Sequence, residues 1–331
     1  MKHAAVALAV FAGLTSGSAL AAKVYSSEGT ELKVGGRVEF RGDFIGTSKG
    51  AEIEGTMDDS TRARLNLKGK SQINDSLTAF AVYEAEQDTG SSEFENRYMY
   101  AGVEFGSQAV SFGRQDMASV IISDFTDITE FSGIQQVVDA SSDKQDSVFA
   151  YAFESDALLV QATYQAEKEE DSDAYGIAGV YSLPLGLDLG LALSGGDLGK
   201  GAGSESQALF GIGYTLENLY LAATYSQGDI DDKATGTDDK EFEAMEFVAE
   251  YQFTTEFSAA ALYTYQENEL GNGTKYDDTD GIELVGYYKF NSNFRTYLSY
   301  YINNVDEVKD PATDLVIAGE DTLRLGVRYD F

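Results

Sequence analysis

The chain has 331 residues, with 56 Asp and Glu against 23 Lys and Arg, and a net charge of −33, a balance that argues against nucleic acid as a partner. It has no cysteine, and its one histidine is His3, so disulfide frameworks and thiolate metal sites are excluded. Aromatic residues make up 12% and sit in register with other apolar residues, unlike a disordered acidic chain.

Lys2, the apolar run Ala4–Leu14 and the small-x-small triplet Ala19-Leu20-Ala21 read as a cleaved export signal over residues 1–21. The mature domain is then 22–331, without histidine, which rules out Ser-His-Asp and Cys-His nucleophilic systems and His-ligated zinc. Removal of the signal takes away one base, Lys2, and no acid. No later run approaches the ~20 consecutive apolar residues that a spanning helix needs.

From Leu32 to Arg41, apolar or glycine positions alternate with Lys33, Arg37, Glu39 and Arg41, the period of a strand with two unlike faces. Ala63, Leu65 and Leu67 alternate with Arg62, Arg64, Asn66 and Lys68 in the same way. The pair at about 77–87 and 93–105 puts Glu84, Glu86 and Arg97 on the inner face. Ala79 and Ala81, with Gly36 and Gly102, read as small residues on the outer face, where another protein surface could approach closely. A strand ending near Arg114 follows, after which residues 118 to about 143 lose alternation. Ile121, Ile122, Phe125, Ile128 and Phe131 make that stretch too apolar for a solvated loop, so a packed one is expected.

Further strands are expected at about 144–153, 157–167, 173–182, 187–195, 204–215, 218–227, 241–253, 256–268, 279–290, 293–303 and 319–331. Short turns alternate with long acidic loops such as 228–240 and 269–278, and Pro184 and Pro311 both fall at connections. Asp146, Glu246, Glu250 and Glu283 are placed on inner faces. Tyr164, Tyr181, Tyr214, Tyr225, Tyr251, Phe253, Tyr265, Tyr288, Phe290, Tyr300 and Tyr329 are placed at outer strand ends, as interfacial girdles require. In the last strand Leu323, Leu325, Val327, Tyr329 and Phe331 share one face, and Arg324, Arg328 and Asp330 the other. A strand with lipid on one side and water on the other must belong to a closed ring, because hydrocarbon tolerates no unpaired edge. The expected fold is all-β: a transmembrane antiparallel β-barrel of about sixteen strands, with a long third loop folded into the lumen.

Several stretches resemble the general diffusion porins of Gram-negative outer membranes, of the enterobacterial and Vibrio type. They are Ala22-Lys-Val-Tyr-Ser-Ser-Glu-Gly-Thr-Glu-Leu, Ala63-Arg-Leu-Asn-Leu-Lys-Gly, Phe112-Gly-Arg114, Thr126-Asp-Ile-Thr-Glu-Phe-Ser-Gly133 and Tyr329-Asp-Phe331. The resemblance implies that the third loop narrows the lumen, with Asp127 and Glu130 as its acidic side. It implies a facing basic wall of Arg37, Arg64, Arg97 and Lys144, which Arg62 joins by sharing a face with Arg64. It also makes Tyr329 and Phe331 an assembly signal. The chain departs from the family pattern in lacking the usual proline before the glutamate, in a segment one residue shorter between Asp127 and Glu130, and in having Lys144 for an arginine.

The function expected is a passive, water-filled outer-membrane channel for small hydrophilic solutes and ions, modestly cation-selective and homotrimeric, with no cofactor, metal or enzymatic activity. Its expected partners are outer-membrane lipids and lipopolysaccharide, the barrel-assembly machinery and the permeating solutes. A substrate-specific channel is the nearest alternative, although inner-face Tyr287, Tyr297 and Tyr301 look too scattered for an aromatic track. An adhesin or receptor acting through its external loops is another, and a secreted β-sandwich a third. Asp278-Thr279-Asp280-Gly281 is not a calcium loop, because alignment on the glycine puts Tyr276 and Tyr287 at ligand positions.

Overall fold

Alternation of period two builds a single antiparallel sheet that curls until its first and last long strands meet. The computed structural model describes residues 21–48, 51–53, 55–233, 237–305, 308–309, 316–317 and 319–331; Pro311 and the export signal, apart from residue 21, lie outside them. The ring consists of β1 (Thr30–Ile45), β2 (Arg62–Asn74), β3 (Leu77–Asp88), β4 (Glu95–Phe105), β5 (Gln108–Gln115), β6 (Gln145–Glu154), β7 (Leu158–Gln165) and β8 (Ala174–Leu183). It continues through β9 (Leu187–Asp197), β10 (Gly203–Leu216), β11 (Leu219–Asp232), β12 (Thr237–Gln252), β13 (Phe257–Glu269), β14 (Lys275–Lys289), β15 (Phe294–Asn303) and β16 (Thr322–Asp330). Sixteen strands therefore close the barrel among the described residues.

Closure uses both chain ends. One edge of β1 pairs with β2, Arg37 opposite Arg64. The other edge pairs with β16 from Arg37↔Asp330 to Ile45↔Leu323, and with the short N-terminal strand Ala22–Ser27 from Val34 to Thr30. Between these partners Phe331 and Gly36 exchange two backbone hydrogen bonds of 3.0 Å. The Phe331 ring fills the space on Gly36 that a side chain would need, since a Cβ there would lie 2.7 Å from its Cζ. Gly36, expected to clear room for another subunit, instead seats the terminal ring.

The surface is inverted relative to a water-soluble protein. Tyr175, Ile177, Leu191, Leu193, Phe247, Leu284 and Leu298 are exposed outward, while Glu39, Glu84, Glu246 and Glu283 are buried inside. Lipid meets the first set, and the second lies against protein within the lumen. Aromatic rings pair near one set of turns, Tyr251 with Phe253 at 4.8 Å and Tyr288 with Phe290 at 4.9 Å. Toward the opposite strand ends, the Tyr164, Tyr265 and Tyr300 hydroxyls donate to Asp173, Asp277 and Asp321. That division suits rings in lipid with hydroxyls reaching a polar boundary.

Three expectations need correction. Gly102 faces the lumen, beneath the Phe80 ring. Asp146 is not an inner-face residue. A bulge between Gln145 and Val148 leaves Gln145 turned inward to Gln165, so Asp146 points the other way and pairs with Arg114 at 2.9 Å. The acidic stretches 228–240 and 269–278 are largely paired strand, for the ladder runs out to Asp232↔Thr237 and Glu269↔Lys275. Beyond the lipid, both faces of a hairpin can be charged, so composition there does not mark where pairing stops.

Residues 116–144 form the long loop between β5 and β6. It bends into the barrel, with a short helix α1 (Val120–Ser123) and a single 3₁₀ turn at Asp139–Ser141. Ile121, Ile122 and Phe125 bury against Leu159, Ala178, Val180, Ala192, Leu209, Ala222, Val248 and Leu262 of β7–β13. This inner wall is small-sided where the loop lies closest: a Cβ on Gly190 or Gly211 would come within 2.6 Å or 2.8 Å of Ile122. Replacing Gly211 by valine should force the loop off the wall at a cost of about 1–3 kcal/mol while leaving the barrel paired. The expected outcome is an altered single-channel conductance with an unchanged β-sheet circular dichroism spectrum.

Candidate functional site: the pore constriction

The loop crosses the lumen because two kinds of contact hold it. Its first half is held by the apolar packing of α1 and Phe125, supported by a hydrogen bond between the Ser119 and Ser194 hydroxyls and by the Tyr220 hydroxyl donating to the Phe125 carbonyl at 2.8 Å. Its second half is held by carboxylates of the wall. Glu283 accepts from the Glu130 and Phe131 N–H groups at 3.1 and 3.0 Å, and from Ser299 Oγ at 2.6 Å. Glu246 accepts from the Gly133 N–H at 2.8 Å and from Thr126 Oγ1 at 2.6 Å. Glu205 accepts from the Ala140 N–H at 2.7 Å. Glu246 and Glu283 are 1% and 0% exposed, so they act as loop anchors and contribute little as open lumen charge.

The loop tip is clamped from the β1–β16 side. Arg41 pairs with Glu130 at 2.7 Å, and the Tyr287 hydroxyl reaches the other Glu130 oxygen at 3.4 Å. Phe131 stacks on Tyr301 at 4.8 Å and carries the Arg324 guanidinium 4.2 Å above its ring. Arg324 also pairs with Asp43 at 2.7 Å and donates to the Glu130 carbonyl at 3.1 Å. The tyrosines that looked scattered in the sequence thus gather at the tip, with Tyr297 5.8 Å from Tyr287 and its hydroxyl 3.1 Å from Glu39.

Arg37, Arg62, Arg64 and Arg97 meet on the inner face of β1–β4, interleaved with three glutamates. Arg62 pairs with Glu39 at 2.7 Å, Arg64 with Glu86 at 2.6 Å and with Glu84 at 3.3 Å, and Arg97 with Glu84 at 2.8 Å. Arg37 is the least well paired, 3.8 Å from Glu39 and 4.0 Å from Glu86. Lys144 is placed apart from this group. It sits at the loop's exit with φ +54°, donates its N–H to Asp116 at 3.0 Å, and pairs through its ammonium with Asp143.

Glu130 is largely enclosed by its partners, whereas Asp127 is exposed to the lumen and held only by Ser132 Oγ at 2.8 Å. Enclosure by the surrounding protein raises the Asp127 pKa above the ordinary carboxylate value; the Asp143 and Glu130 charges add to this, and Ser132 and Lys144 oppose it. Asp116, beside the Tyr98 hydroxyl at 3.2 Å, is pushed up to about 6, chiefly by burial. Sequence reasoning missed Arg41 and Glu205 as loop anchors, Arg324 as the clamp on Phe131, and Asp116, Asp124 and Asp143 as loop acids. Arg41 and Arg324 were legible as inward strand positions, but nothing local showed which inward charge would meet the loop.

A closed barrel with an apolar exterior, a charged interior and a loop folded into the lumen has the architecture of a transmembrane channel. The family model described as Gram-negative porin matches residues 4–311, and the chain belongs to that family. It is an outer-membrane porin. It is 31% identical over 355 residues to porin-like protein L of Photobacterium profundum and 30% identical over 354 residues to outer membrane protein U of Vibrio vulnificus, with each pair matched over 100% of both chains. Against outer membrane protein U of Vibrio cholerae it is 32% identical over 358 residues, covering 100% of this chain and 97% of the other. Among solved structures, Salmonella typhi OmpF in complex with daunomycin superposes with TM-score 0.79 at 20% identity, over 94% of this chain and 100% of that one. The trimer form of Vibrio cholerae OmpT gives 0.74 at 18%, over 92% and 100%.

If the wall carboxylates hold the loop's second half, replacing both Glu246 and Glu283 by glutamine should loosen it, because an amide offers one acceptor oxygen where the carboxylate uses two. Each lost pairing costs about 1–3 kcal/mol. The check is the single-channel record, in which new substates or flicker should appear while the barrel's thermal transition stays close to that of the unmodified protein.

Proposed function

We propose that this porin is a passive, water-filled pore for small hydrophilic solutes and ions, cation-preferring and homotrimeric, needing no cofactor and catalysing no reaction. Residues 1–21 are then its export signal, removed on secretion, and Tyr329 and Phe331 its signal to the barrel-assembly machinery. The observation that carries the selectivity reading is the pairing at the constriction. Arg37, Arg62, Arg64 and Arg97 stand beside Glu39, Glu84 and Glu86 within the same wall, and Arg41 offsets Glu130, so the basic side retains a single net positive charge. Asp127 on the loop has a hydroxyl for its partner and no ion pair. At a narrow point the residual charge acts on the ion at close quarters, and here it is negative, because Asp116 and Asp127 on the loop, neither of them in an ion pair among the described residues, outnumber the one arginine left over on the wall. Acidic external segments add to it by enriching cations at the mouth.

Reversal potentials in a salt gradient test this. The unmodified pore should prefer cations, more so at low salt. Asp127→Asn with Glu130→Gln should lower the preference, and an anion-preferring unmodified pore would refute the reading. A carboxylate whose pKa is raised loses its charge at higher pH than usual. Cation preference should therefore already decline as pH falls through about 6, where Asp116 takes up its proton, and before an ordinary carboxylate near 4 would respond.

Homotrimer formation is supported by a groove of about 530 Å³ on the outer wall, floored by the in-register row Gly69, Ala81 and Ala101 and rimmed by Leu67 and Met99. Small side chains there let a second copy approach closely. In mild detergent the mass should be about three times the 35.8 kDa chain, slightly less once the signal is lost, and Ala81→Trp should shift it toward monomer. A monomeric unmodified protein under those conditions would refute the trimer.

A further inference from the structure

The loop's pattern of burial separates residues that hold it from residues that act. Around α1 and the turn after it, Ile121, Ile122, Phe125 and Thr126 are buried against the wall, while Asp124 and Asp127 are exposed on the opposite side, which inside a barrel is the lumen. Asp127 has Ser132 beside it and Lys144 near enough to act on it. Asp124 has neither a donor to its carboxylate nor a cation beside it among the described residues. Enclosure by the surrounding protein, and then the charges of Asp116, Asp127 and Asp143, raise its pKa well above the ordinary carboxylate value. Of the other acids here, Glu39, Glu84 and Glu86 are paired with arginines, Glu130 with Arg41, Asp143 with Lys144, Asp43 with Arg324 and Asp330 with Arg328, while Asp116 accepts from the Tyr98 hydroxyl and the Lys144 N–H.

We propose that Asp124 is a selectivity-determining residue of the pore, an uncompensated carboxylate on the lumen face of the third loop that attracts cations directly, whereas Glu130 mainly positions the loop tip. The inference rests on the cation-preference reading above and adds the residue that carries it. A partnered carboxylate presents a neutral pair to a passing ion. An unpartnered one, once ionised, presents its full charge, and across a few ångströms of a water-filled passage that charge favours each cation and disfavours each anion, so the two effects multiply in the permeability ratio.

The mature chain lacks cysteine, so Asp124→Cys introduces a unique thiol and permits a charge series at one position. Reversal potentials would be measured in low salt at alkaline pH, where the crowded loop acids are ionised. Asp124→Asn should reduce the cation-to-anion permeability ratio roughly two- to five-fold. Asp124→Cys should do the same while its thiol stays protonated, below about pH 8.5 for an ordinary cysteine. A methanethiosulfonate bearing an ethylsulfonate would then form a disulfide with the thiol, release methanesulfinate and restore the ratio. The trimethylammonium analogue should drive the ratio below that of the cysteine variant. Asp124→Glu should keep the native ratio, and Glu130→Gln should change substate behaviour more than the ratio. An anion-preferring native pore would defeat the selectivity reading itself. A cation-preferring native pore whose ratio is unmoved in Asp124→Asn, or an introduced thiol that neither reagent modifies, would defeat the assignment of Asp124 alone.

Discussion

Everything in this structure depends on closing the backbone ladder at β1 and β16. Within hydrocarbon each N–H and C=O needs a partner in the protein, so an open sheet edge would cost several kcal/mol per group. The two chain ends solve this jointly, β16 covering one stretch of the β1 edge and the N-terminal strand the rest, with the Gly36–Phe331 pair bridging them. The terminal phenylalanine is therefore part of the seam as well as an apolar surface group. Gly36 is glycine because that ring must lie against the strand.

Once the ring is shut, its interior becomes a compartment in which the usual burial rules reverse partway. The loop that enters it brings apolar side chains to a small-sided wall and leaves backbone N–H groups to be satisfied. Wall carboxylates meet that second need. A carboxylate accepting two or three hydrogen bonds from N–H and hydroxyl groups is an efficient way to fix an irregular segment, because one side chain satisfies several donors at once. Glu246 and Glu283 do this from neighbouring regions of the barrel. A strongly acidic chain can therefore keep many acids inside its pore without an equal number of free negative charges.

Strand existence, face assignment and the loop's inward fold were legible because they are local or nearly so: period-two alternation, turn residues, and a run of apolar residues with no alternation. Departures arose where geometry breaks the period or where pairing is long-range. The bulge at 145–148 turned Asp146 outward, and the shift between Glu84 and Ala85 left Gly102 on the inner face, where parity counted from the wrong side would put it outside. The acidic hairpin ends stayed paired because register, once set in the membrane, continues into water without needing an apolar face. Inward charges such as Arg41 and Arg324 could be listed from sequence, but their partners lie 89 and 281 residues away, and only the closed ring brings them together.

Counting charges therefore misleads in a pore of this kind, and pairing has to be counted instead. The arginines of β1, β2 and β4 look like a strongly basic wall until their glutamates are set beside them, at ion-pair distance on the same strands and their neighbours. Such interleaving holds these long side chains along the wall, since each guanidinium lies by a carboxylate of the wall rather than reaching across to the loop. It also lowers the field of the wall to that of a nearly neutral lattice. What a permeating ion then meets is set by the few groups left out of the lattice. On the wall the nearest to that condition is Arg37, and on the loop it is the acids whose neighbours are hydroxyls or other acids. On the reading proposed above, permeation is governed by exceptions to the pairing, and the paired majority fixes where those exceptions stand.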